Sequence, residues 1–112
     1  MSRNLRTCME KLKLIAQIPN PNTRKTVLKS LCDECLYKAL YEIAVNTVNN
    51  KVPLTVKQKR HLRRYKLKIL QLTRKTNNKN RQKQLVVQSG GIIPYLIPAI
   101  AAILGSAIFR NG

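Results

Sequence analysis

Three cysteines and one histidine are the residues of this sequence with the widest chemical repertoire: Cys8, Cys32, Cys35 and His61. Cys32-Asp33-Glu34-Cys35 has the two-residue spacing of half a zinc site. Cys8 and His61 could raise the ligand count to four, but at spacings that match no common zinc finger. A redox-active pair belongs in a βαβ setting, and none surrounds these residues. The odd number of cysteines argues against a closed disulfide framework. The expectation is reduced thiols packed in helices as small hydrophobes, with no metal and a reducing compartment. His61 lies between Arg60 and Arg63 with no carboxylate near it in sequence. It therefore lacks the partner that general-base work needs and is expected at the surface. No catalytic constellation is present, and the chain is expected to be non-enzymatic and cofactor-free.

The chemistry that is well supplied is cationic. Among 112 residues, 22 Lys and Arg face 4 Asp and Glu, a formal net charge of +18. Thirteen of the cations fall between Lys51 and Lys83, and no acid occurs after Glu42. A solvated helix face ordinarily mixes signs, because like charges four residues apart repel. Here Arg60 with Arg64, and Arg64 with Lys68, have no acid to offset them. A polyanion lying along the row would offset them and release its counterions. The candidate phosphate-binding residues are Lys57, Lys59, Arg60, Arg63, Arg64, Lys66, Lys68, Arg74, Lys75, Lys79, Arg81 and Lys83. They are point charges with few Asn or Gln on the same face, so phosphate contact without base readout is expected. With one Phe and no Trp, aromatic stacking on single strands is poorly supplied.

The second feature is apolar. Gly91 to Phe109 is a run of nineteen uncharged residues bounded by Lys83 and Arg110. That length suits a bilayer span, an interfacial helix, or a docking segment covered by protein. Pro94 and Pro98 weaken a continuous helix in water and are tolerated in membranes. Membrane contact through residues 91–109 is therefore an alternative partner to nucleic acid. Ser2-Arg3-Asn4-Leu5-Arg6 leads into a charged stretch, so no secretory signal is expected.

The run from Gly90-Gly91-Ile92-Ile93-Pro94-Tyr95 through Ala101-Ala102-Ile103-Leu104-Gly105 resembles the C-terminal part of the adenovirus core protein X precursor family, whose mature peptide is called Mu. In that family a basic segment precedes Gly-Gly and a tail rich in Ile, Leu, Pro and Ala, and the same order holds here. The stretch Pro53-Leu54-Thr55 with Gln58-Lys59 is also similar to small proteins of Maverick or Polinton-type viruses and elements. The resemblance implies a viral core protein that condenses double-stranded DNA, in the virion core and the host nucleus, with capsid proteins as further partners. It also implies proteolytic processing at Gly90, Gly91 and Ile92, cutting after Gly91. Gln88 stands where the family carries Met, Leu or Ile, and the basic stretch is Lys-dominated and interrupted by leucines.

These residues must be positioned by helices. Leu5, Met9, Leu12 and Ile15 recur at spacings of three and four, which predicts a helix near 4–17 that Pro19 and Pro21 end. Asn22 or Thr23 is expected to cap a second helix near 23–48, whose wide apolar stripe runs from Val27 to Val48. Such a face packs on more than one helix, or on a second copy in a homodimer. Tyr37 and Tyr41 lie beside that stripe as core-edge packing. Thr55 and Gln58 form a capping box for a third helix near 56–73. Asn77 to Asn80 is expected to be flexible. The fold class is all-α: a small three-helix unit with a flexible basic segment and a hydrophobic C-terminal tail. The segments are 1–50 as structural module, 51–84 as basic helix and extension, and 85–112 as Gly-Gly hinge and tail.

Overall fold

The computed structural model describes residues 3–31 and 34–111, with side chains described through Gly105. Arg3–Ala16 forms α1, which buries Cys8, Met9, Leu12, Ile15 and Ala16 on one face, as the spacing predicts. Pro21–Leu31 forms α2. Its cap is Asn20, two positions before the expected Asn22: the Asn20 side-chain oxygen accepts from the N–H groups of Asn22 at 2.8 Å and Thr23 at 3.2 Å. Pro21 fits the first helical position because its missing N–H would have had no partner there. Glu34–Val48 forms α3, so the stretch expected as a helix near 23–48 is helical on both sides of residues 32–33, which lie outside the described residues. Asn50 ends α3 in the left-handed region at φ 56°, and the Lys51 N–H reaches back to the Asn46 carbonyl at 3.0 Å. Asn tolerates that conformation better than most residues.

The capping box forms as read. The Thr55 hydroxyl accepts from the Gln58 N–H at 3.1 Å, and the Gln58 side chain accepts from the Thr55 N–H at 2.9 Å. The helix it starts, α4, runs Val56–Arg63, and a separate α5 runs Lys66–Leu72. The break at Arg64 and Tyr65 corrects the continuous helix expected over 56–73. It lets α4 pack on the C-terminal helix while α5 packs on α3, so Leu62 and Ile69 are both buried although their partners lie in different directions.

Two further corrections concern the segments expected to be loose. Lys79–Gln88 is helical, α6, with the Asn78 side chain accepting from the Arg81 N–H as its cap. Leu85 and Val86 bury its inner side, and buried Gln82 donates to the Thr76 carbonyl at 2.8 Å. The basic extension is thus docked. A single 3-10 turn at Ser89–Gly91 then leads into α7, Ile93–Asn111. The expected tail is a core helix: Ile92, Ile93, Leu96, Ala99 and Ile100 are at most 1 % exposed. A segment apolar on most sides is satisfied by burial between helices as well as by lipid. Among the described residues, no single helix is long and apolar enough to cross a membrane. The bent pair Lys79–Gly91 and Ile93–Gly105 reaches that length and composition only across a 101° angle.

One hydrophobic core draws on all three segments, from Cys8 to Leu104. α1, α3 and α7 contact one another at its centre, while α2 packs on α6 and the 3-10 turn. The wide stripe of α3 is covered by α1, α5, α6 and α7 of the same chain. The radius of gyration is 13.1 Å, close to the ~13 Å expected of a folded domain this long. No strand is present among the described residues, so the all-α class holds, with seven helices where three were expected.

Two tethers close the fold. Cys8 on α1 and Cys35 on α3 form a disulfide, with Cα atoms 6.0 Å apart. This corrects the expectation of reduced thiols: the helix crossing brings together two cysteines 27 positions apart, which spacing alone does not reveal. Cys32 lies outside the described residues. The second tether is Arg24, a buried cation. Its guanidinium donates to the carbonyls of Gly90 at 2.7 Å, Ile18 at 2.6 Å and Pro19 at 3.2 Å. It joins the turn before α2 to the turn before α7.

Two outcomes are expected. Reduction before alkylation should add two modified cysteines, Cys8 and Cys35, to the intact mass relative to alkylation alone; an unchanged mass would show that the pair is not bonded. The paired glycines should differ in denaturant unfolding. A Cβ on Gly90 would lie 2.8 Å from Lys25 Cγ and 3.2 Å from Leu28 Cδ1, whereas one on Gly91 meets nothing within 4 Å. Gly90→Ala should therefore lose about 1–3 kcal/mol through overpacking, and Gly91→Ala should lose nothing.

Candidate nucleic-acid interface

The two short basic helices are built by local signals. Thr55 starts α4, and Leu62 alone anchors its inner side. At 3.6 residues per turn, Lys57, Arg60 and Arg64 then form one outer stripe, with Lys59 and Arg63 beside it. All five are exposed. Lys59, Arg63 and Lys66 rim a groove of about 330 Å³ whose floor includes Leu62 and Ile69. On α5, Lys66 and Lys68 are exposed around buried Ile69 and Leu72. Lys68 shares a 230 Å³ cleft with Lys25, Gln71 and Gln88. A cation from α2 thus joins the row read from sequence, and the fold, not the spacing, makes that neighbour.

Beyond α5, Arg74, Lys75, Lys79, Arg81 and Lys83 are exposed as well. Lys75 Nζ lies 6.0 Å from the centre of the Tyr41 ring. The Tyr37 hydroxyl, buried beneath, accepts from the Thr76 N–H at 3.0 Å. Both tyrosines therefore hold the segment before α6 against α3, which is the packing role expected for them.

Acids meet few of these charges. Among the described residues, the ion pairs are Arg6 with Glu10, Lys38 with Glu34, and Lys79 with Glu34, each at 3.4 Å. Of the twelve candidate phosphate-binding residues, Lys79 alone has a carboxylate partner among the described residues. Glu34 opens α3 and reaches Lys79 at the start of α6, so it staples two helix starts together. The hydrogen bond from Lys79, with the nearby Lys38 charge, holds its carboxyl below the ordinary value of 4.5.

A group that the sequence did not bring together is aromatic. His61 on α4, Tyr65 at the α4–α5 break and Tyr95 in the first turn of α7 meet at the surface. The Tyr65 and Tyr95 ring centres are 5.0 Å apart, and those of His61 and Tyr95 are 6.1 Å apart with planes 23° from parallel. A side-chain hydrogen bond with Tyr95, then desolvation, pushes the Tyr65 phenol above its ordinary value, and the Arg64 charge acts in the opposite sense. The four-residue spacing of His61 and Tyr65 was a usable signal; the arrival of Tyr95, thirty positions later, was not.

Gly90, Gly91 and Ile92 lie where the 3-10 turn meets α7. Gly90 and Ile92 are buried, Gly91 is half-buried, and the Gly90 carbonyl is held by Arg24. Among the described residues, no three of His, Cys, Asp and Glu converge as metal ligands would. No protein-family model matches the chain, and no curated protein or solved structure is significantly similar to it.

The Glu34 staple has a pH signature. A carboxyl whose folded value lies below its unfolded one adds stability that is present above the unfolded value and lost as pH falls through the folded one. An NMR titration should therefore place the Glu34 midpoint below 4.5. Lys79→Gln should move it upward, and an unmoved midpoint would show that the pair does not form in solution.

Proposed function

We propose that this chain is a non-enzymatic core-type protein of a virus or virus-like element that binds and condenses double-stranded DNA without sequence preference. The observation that carries the reading is the state of the twelve cations from Lys57 to Lys83. All are exposed, and eleven of them have no carboxylate partner among the described residues. Such a surface is electrostatically incomplete, and phosphate completes it. Because α7 belongs to the core, bridging between duplexes falls to the exposed cations or to a dimer. Capsid proteins, the virion core and the host nucleus complete the proposed setting. Cleavage after Gly91 belongs to the same reading, and it requires the Arg24-held turn to open first. The rival reading, contact with anionic lipid through residues 91–109, requires α7 to leave the core.

A salt titration of binding to two unrelated duplexes tests the reading. With roughly 5–8 phosphates neutralised, the slope of log affinity against log salt should be about −5 to −7. The two duplexes should bind alike, because no base-edge readers share one face. Changing Arg60, Arg63, Arg64 and Lys68 to Gln should flatten the slope by several units and leave helix content unchanged, since all four are exposed. A slope shallower than about −2, combined with flotation on anionic liposomes, would overturn the reading in favour of the membrane.

A further inference from the structure

We propose that His61, Tyr65 and Tyr95 form a stacking surface for an unpaired base of a bound DNA strand, at the edge of the phosphate-binding stripe of α4. The inference rests on the nucleic-acid reading above and extends it from phosphate to base. Three observations carry it. The first is placement: His61 is one turn from Lys57 on α4, and Tyr65 directly follows Arg64. The cations Lys57, Arg60 and Arg64 and the rings of His61 and Tyr65 thus share the same short stretch of chain. The second is exposure. Tyr95 retains 40 % of its surface and His61 is exposed, while the next residue of α7, Leu96, is fully buried. His61 and Tyr95 are therefore presented outward, with half-buried Tyr65 beside them, from elements that the core holds in place. The third is geometry: the Tyr65 and Tyr95 ring centres are 5.0 Å apart with planes 31° from parallel, and those of His61 and Tyr95 are 6.1 Å apart with planes 23° from parallel, so the three rings form one contiguous aromatic pad. A nucleobase gains from such a pad whatever its identity, since every base has a π-face.

Rings kept only to pack α4 against α7 could be replaced by an aliphatic side chain of similar size without loss of binding. Tyr95→Leu is therefore the discriminating change, because it keeps apolar bulk and removes the π-face. Three ligands separate base from phosphate: an oligothymidylate, an abasic oligomer of the same length, and a duplex. The wild-type chain should bind the oligothymidylate about tenfold more tightly than the abasic oligomer, the scale of stacking on one base. Tyrosine fluorescence, unobscured because the chain has no Trp, should be quenched by the oligothymidylate and not by the abasic oligomer. Tyr95→Leu and His61→Ala should each shrink the affinity difference while abasic and duplex binding stay at the wild-type level. Equal wild-type affinity for the two single strands, with duplex binding intact, would overturn the stacking surface and leave the phosphate reading standing. Failure to bind any of the three would overturn both. A preference for the oligothymidylate that survives both substitutions would overturn the assignment to these rings.

Discussion

Uncompensated positive charge is the constraint to which the rest of this structure answers. All four acids lie within the first 42 residues, so from Lys51 onward nothing in sequence offsets the repulsion between neighbouring cations. Repulsion of this kind opposes compaction, and a chain of this size has a limited apolar area with which to oppose it. The structure meets the constraint by drawing apolar residues from every segment into one core, from Met9 and Leu12 to Leu96 and Ile100. α7 is central to that solution, and removing it would deprive α1 and α3 of their shared partner. Crosslinks add to burial where the fold allows: the Cys8–Cys35 disulfide joins α1 to α3, and Glu34 joins the starts of α3 and α6.

Arg24 shows how narrow the allowance for charge in the interior is. Among the described residues it is the only buried Lys or Arg. Its guanidinium finds carbonyl oxygens at three points of two turns, and among the described residues no acid pairs with it. A buried charge without such partners would be strongly unfavourable. The same contacts explain why Gly90 must lack a side chain: α2 approaches so closely, through Lys25 and Leu28, that a Cβ has no room. The Gly-Gly pair thus has a packing role in its first member.

Much of this was legible in local chemistry. Two prolines punctuate the chain after α1, the 3.6-residue spacing of α1 marks its buried face, and Thr55 with Gln58 starts α4. What escaped was tertiary in origin. The break at Arg64 and Tyr65 follows from two partners lying in different directions, which a single apolar stripe cannot convey. α6 carries only a short apolar pair, Leu85 and Val86, and its helicity is settled by docking and the Asn78 cap. The apolar run after Gly91 has the same composition whether lipid or protein surrounds it, so pattern alone left that choice open. The disulfide, the Arg24 clamp and the His61–Tyr65–Tyr95 pad each join residues that only the fold makes neighbours. The cationic row needed no such help, because its charges stay in solvent whatever the core does.

That separation, a core that uses every segment and a charge row left outside it, makes the location of DNA contact the central claim. Lysine acetylation of the full chain, followed by peptide mass mapping with and without duplex DNA at low salt, tests it most directly. Protection is expected at Lys57, Lys59, Lys66, Lys68, Lys75 and Lys83, with Lys11, Lys13 and Lys38 labelled as readily as in the free protein. Protection spread evenly over all lysines, or concentrated on α1, would contradict it.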